Sequence, residues 1–139
     1  MVFEEGLQII SGDTGLGDWR PNVYVQAGKA YVSHRFSTVF VDGDFSVSAG
    51  DGGGAYDQYI VFYNQVEGNS GAGDGGFAAV TLVGTKHQIN GNVNVQGGNG
   101  GFSQRYYDVS GTGGLAYLRA TESYLMIIGD SHTLSIQAG

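Results

Sequence analysis

The sequence predicts an all-β fold, an antiparallel β-sandwich or barrel of about ten strands. Three observations support this. Apolar and aromatic runs of strand length recur at spacings of roughly 8 to 13 residues, bounded by turn residues. Glycine fills 26 of 139 positions and proline one, so the chain is heavily punctuated without the Gly-x-y period of collagen. No stretch keeps a helical period beyond a single turn.

The glycines are organised. The pattern Gly-x-Gly-Gly occurs at Gly50-Asp51-Gly52-Gly53, Gly73-Asp74-Gly75-Gly76, Gly98-Asn99-Gly100-Gly101 and Gly111-Thr112-Gly113-Gly114. Each copy leads into an apolar or aromatic run, beginning at Ala55, Phe77, Phe102 and Leu115. Glycine accepts positive φ at little steric cost, so the copies read as β-turns. They lie 23, 25 and 13 residues apart, too unevenly for a β-helix or propeller of fixed period. A phosphate cradle needs a following helix and usually a lysine. Strands follow these copies, and the lysine is missing.

In chain order, residues 1–22 read as an N-terminal arm and loop, with a short strand at 7–10 and loop chemistry from Ser11 to Pro21. Residues 23–139 read as one sandwich domain. Runs at 22–25 and 29–33 suggest a hairpin across Gln26-Ala27-Gly28. Residues 34–41 alternate, and Asp42-Gly43-Asp44 is a strong hairpin signal leading to a strand at 45–49. Residues 56–66 form the longest candidate strand, apolar on both faces. A glycine-rich loop spans 67–76 and a strand 77–83. Residues 87–95 are interrupted by a turn or bulge at Asn90-Gly91. Strands follow at 102–109, 115–120, 123–128 and 132–137. The run 123–128 is apolar on both faces, which marks a central or interface strand.

Composition bounds the function. The chain carries 13 acidic and 6 basic residues, a net charge of −7, and no cysteine. Nucleic-acid backbones want basic stripes, and anionic membranes repel such a chain. The sequence predicts no secretory signal at the start and no transmembrane run. Asp42-Gly43-Asp44 lacks the further ligands of a calcium loop. His34, His87 and His132 show no zinc spacing. No Gly-x-Ser-x-Gly elbow supports a hydrolase, and Asp57, Glu67, Asp108 and Glu122 supply no distinguished glycosidase pair. The sequence therefore predicts a non-enzyme without cofactor or metal. Aromatic residues beyond those needed for a core suggest an interface or a sugar-stacking surface.

This texture resembles the small all-β virion proteins of tailed bacteriophages: short, cysteine-free, rich in glycine, tyrosine and asparagine, and lacking catalytic motifs. The resemblance implies a homotrimer of jelly-roll-like sandwiches on the outer surface of the virion. It implies a capsid decoration (cement) protein that bridges subunits of the major capsid protein or other virion proteins. Partner-contact candidates are Trp19, Tyr59, Tyr63, Glu67, Asn69, Asp74, Phe77, Tyr106 and Tyr107. The alternative is a carbohydrate- or receptor-binding fibre head, using Trp19, exposed tyrosines and loop asparagines such as Asn92, Asn94 and Asn99. Neither reading involves nucleic acid or a membrane.

Overall fold

Among the described residues eleven short strands succeed one another: β1 (Val2–Phe3), β2 (Leu7–Ile10), β3 (Lys29–Arg35), β4 (Thr38–Asp42), β5 (Phe45–Ser48), β6 (Phe77–Val83), β7 (Lys86–Asn90), β8 (Val93–Gln96), β9 (Ala116–Thr121), β10 (Tyr124–Ile127) and β11 (Leu134–Gln137). They come from a computed structural model that describes residues 1–12, 27–53, 73–101 and 111–139. The strand expectations at 22–25, 56–66 and 102–109 lie outside the described residues, as do Trp19, Tyr59, Tyr63, Glu67, Asn69, Tyr106 and Tyr107.

Among the described residues every strand pairing is parallel, which overturns the antiparallel, jelly-roll expectation. The sheet orders are β1-β4-β7-β10, β2-β5-β8-β11 and β3-β6-β9. Consecutive strands therefore fall in consecutive sheets, and the chain winds as a three-sided parallel β-solenoid. Each coil adds one strand to each sheet it passes.

The turn signals were real but served another purpose. Asp42-Gly43-Asp44 and Asn90-Gly91 turn the chain from the first sheet to the second instead of folding a strand back on its neighbour. Gly43 supplies φ +126 there, and Gly6 and Gly129 supply +89 and +117 at equivalent corners. The run 34–41 is likewise broken by a corner. Phe36, Gly84 and Glu122 all have positive φ (48, 60 and 49) between the third sheet and the first.

The core lies inside the three sheets. Inward columns run in register: Leu7, Phe45, Val93 and Leu134; Ile9, Val47, Val95 and Ile136; Val41, Ile89 and Ile127; Val32, Val80 and Leu118. Phe45, Val47, Ile89, Val93 and Val95 are at most 2% exposed. Burying such side chains contributes about 1.5–3 kcal/mol each. β-branched residues suit these columns because each packs on its counterpart one coil away. In the last coil the columns end without cover among the described residues. Leu134 and Ile136 face inward yet are 50% and 43% exposed.

Coil length varies. Asp42 and Asn90, at equivalent positions, lie 48 residues apart, Asn92 and Thr133 41, and Asp74 and Thr112 38. The differences arise mainly between the second and third sheets, where the glycine-rich segments sit. This conceals the repeat from a search at one fixed period.

Candidate functional site

The four Gly-x-Gly-Gly segments assemble side by side. Residues 50–53 and 73–76 run antiparallel, Gly76 N donating to Gly50 O at 2.9 Å and Gly73 N to Gly53 O at 3.0 Å. Residues 98–101 continue the set through Gly98 N to Gly76 O (3.1 Å) and Gly101 N to Gly73 O (2.9 Å). Residues 111–114 follow through Gly114 N to Gly98 O (2.7 Å) and Gly111 N to Gly101 O (3.0 Å), and Gly139 N closes the row on Gly114 O (3.0 Å). Residues between these positions reach other neighbours: Gly52 N bonds Asn99 O and Gly75 N bonds Thr112 O.

Bonds on one side recur every third residue, the period of a polyproline-II helix. The segments thus form a backbone lattice, and the β-turn expectation is corrected. None of the described glycines in these segments has positive φ. Glycine is needed because the backbones approach too closely for a side chain. A Cβ at Gly98 would overlap the Gly50 carbonyl oxygen, and one at Gly114 that of Gly76.

Polar ladders edge the coils. Asp44 Oδ1 accepts from Asn92 N (2.7 Å) and Nδ2 (3.2 Å), and Asn92 Oδ1 accepts from Thr133 N and Oγ1. Asp51 Oδ1 accepts from Asn99 N and Nδ2 in the same geometry. Asp74 accepts from Thr112 N and Oγ1, both at 2.8 Å. The Thr112 amide, then its hydroxyl, holds the Asp74 carboxyl below its usual pKa. These aspartates therefore pair one coil with the next.

Three outer faces are available. On the second sheet Gln8, Ser46, Asn94 and Ser135 stand in one cross-strand row. A shallow cleft of about 470 Å³ lies on this face, with Gln8, Ser46, Asn92 and Asn94 in its lining and Glu5 and Asp44 beside them. Among the described residues nothing hydrogen-bonds the side chains of Gln8, Ser46 or Asn94. Neighbouring strands are about 4.8 Å apart, so the row offers hydroxyl and amide groups at a regular step. On the first sheet a hollow of about 420 Å³ is lined by Thr38, Lys86, His87, Gln88, Tyr124 and Met126. The third sheet carries Lys29, Tyr31, Ser33 and Arg35 on β3 and Tyr117 and Arg119 on β9.

Behind the first-sheet hollow, His34 Nδ1 and His87 Nε2 are 2.7 Å apart, and His87 Nδ1 is 3.1 Å from Thr85 Oγ1. Burial, then the neighbouring His34, lowers the His87 pKa to about 4. Burial, then the N-terminal ammonium, lowers that of His34. Both are accordingly neutral at pH 7, and one proton joins their facing nitrogens in either tautomer. Sequence spacing gave no signal for this pair, because the contact crosses between sheets. His132 stands apart, its Nδ1 on the Ile128 carbonyl. Among the described residues no three His, Asp or Glu side chains gather as a metal cluster, and no helix is long and apolar enough to cross a membrane.

Of the described contact candidates, Asp74 is tied to Thr112, and Phe77 packs edge-on against Tyr117 with ring centroids 5.3 Å apart. Of the asparagines named for the sugar-binding alternative, Asn92 and Asn94 share the second-sheet cleft, whereas Asn99 belongs to the glycine lattice. Exposed Glu122 occupies a corner with positive φ. No family model, curated protein or solved structure matches the chain.

Proposed function

We propose that the protein is a carbohydrate-binding β-solenoid of a virion fibre or spike, the cleft on its second sheet holding a glycan. The row Gln8, Ser46 and Asn94 carries the reading. Its unpaired amides and hydroxyl both donate and accept, as sugar hydroxyls require. A solenoid face is also rigid, so the groups are held in place before a ligand arrives. The virion setting rests on the resemblance of the chain to phage virion proteins.

A glycan array checks this. Retention of a neutral oligosaccharide is expected, with loss of about tenfold in affinity in Asn94→Ala combined with Ser46→Ala. The melting midpoint should hold. An array with no retained glycan, or retention indifferent to that variant, ends the reading.

A second reading, the capsid decoration protein, is favoured by one observation. The last coil leaves the inward-facing Leu134 and Ile136 exposed, an apolar end suited to seating on another virion protein. Stoichiometric binding to capsids that disappears in Leu134→Ser would support it, and capsids that bind neither form would remove it.

A further inference from the structure

The third sheet carries a concentration of positive charge and aromatic rings on its outer face. The chain has a net charge of −7 and six basic residues, yet Lys29, Arg35 and Arg119 all project from β3 and β9. The strands β3, β6 and β9 contain no acidic residue. Among the described residues, Asp74, which precedes β6 in the chain, is occupied by Thr112, and Glu122 follows the end of β9.

Register arranges these side chains in rows. Tyr31, Ala79 and Tyr117 form one row, and Ser33, Thr81 and Arg119 form the next. Tyr31 and Tyr117 are 53% and 40% exposed, and Ala79 between them is fully buried. Strand spacing puts the two tyrosines about 10 Å apart. Tyr117 is steadied by the edge of Phe77. Hydrogen bonds with Ser33, then Thr81, and the charge of Arg35 lower the Tyr31 phenol pKa. The result is an aromatic row beside a row of two hydroxyls and a guanidinium, with Arg35 and Lys29 at its ends.

We propose that this face binds an acidic polysaccharide, its rings on Tyr31 and Tyr117 and a carboxylate on Arg119. Aromatic rings take the apolar faces of a pyranose. Guanidinium matches a carboxylate with two parallel hydrogen bonds. Single-stranded nucleic acid uses similar chemistry but wants a continuous basic groove. Three separated cations on an acidic protein do not supply one.

Calorimetric titration of the 139-residue chain with polygalacturonate oligomers tests this. Binding is expected with the carboxylated oligomer and at least about tenfold more weakly with its methyl-esterified form. Arg119→Gln should cost about tenfold, Arg119→Lys less, and Tyr31→Ser more than Tyr31→Phe. Asn94→Ala lies on another face and should leave this affinity unchanged, so failure here is separable from failure of the second-sheet cleft. The inference is overturned by equal binding of the esterified oligomer, by an unaffected Arg119→Gln, by loss in Asn94→Ala, or by tighter binding of oligo-dT. Melting midpoints of all variants are measured alongside, and Tyr31→Phe with Arg119→Lys keep the test decisive if the harsher changes unfold the chain.

Discussion

The three-sheet core and the glycine lattice stack the same coils by opposite means. In the core, side chains fill the space between strands, and Phe45, Val47 and Val95 press on their counterparts in adjacent coils. In the lattice, the glycine positions exclude side chains and backbones bond directly across residues 50–53, 73–76, 98–101 and 111–114. A core position is defined by volume and polarity, so other apolar residues of similar size can satisfy it. A lattice position is defined by the absence of a Cβ, which no substitution preserves.

Four measurements press on that contrast, from the largest expected effect to the smallest. Gly98→Ala sets a methyl on the Gly50 carbonyl oxygen, where only backbone could yield. We expect a loss of roughly 4 kcal/mol or more, or no cooperative folding; a denaturant midpoint close to that of the parent would refute the lattice. Phe45→Ala opens a cavity in the core and should cost about 3–4 kcal/mol. Because the surroundings can partly collapse, the variant should still unfold cooperatively, as read by denaturant titration.

The third measurement is a pH series. His87 has a folded pKa of about 4 against an ordinary value of 6.5. The unfolded chain takes up its proton first, so stability is intact above about pH 6.5 and declines as the pH falls toward 4. The melting midpoint should drop over that window, and less steeply in His87→Leu; equal slopes would show that other groups govern it. The smallest effect belongs to Gly12→Ala. No atom lies within 4 Å of a Cβ there, and we expect a change within about 0.5 kcal/mol. A large loss at Gly12 would blur the distinction between lattice and ordinary glycines.

Much of the local structure was legible in the sequence, and its assembly was not. Strands at 7–10, 29–33, 77–83, 115–120 and 123–128 correspond to β2, β3, β6, β9 and β10, because alternation marks a half-buried strand whatever its partner. Direction was lost for the same reason. Alternation with one solvated face usually accompanies antiparallel pairing, but a solenoid gives parallel strands a solvated face too. Asp42-Gly43 supplied the positive φ that such a pair predicts, yet φ alone does not say whether a chain reverses or turns a corner. Corners at Phe36 and Glu122 carried no glycine to mark them. Asn92 and Asn94 suit a sugar site by residue type, and the coil joins them to Gln8 and Ser46, which nothing local connects. The rows on the third sheet depend on residues 48 and 38 positions apart in the chain, so they become visible only once the register is known.

The lattice also separates two properties that most repeat proteins bind together. Gly73 bonds Gly53 and Gly111 bonds Gly101 in the same way, although the two members of each pair stand 20 and 10 positions apart in the sequence. The glycines act as a clamp whose two jaws meet in the same way whatever length of chain lies between them. The step from coil to coil is therefore set by the paired glycines and not by the number of residues between them.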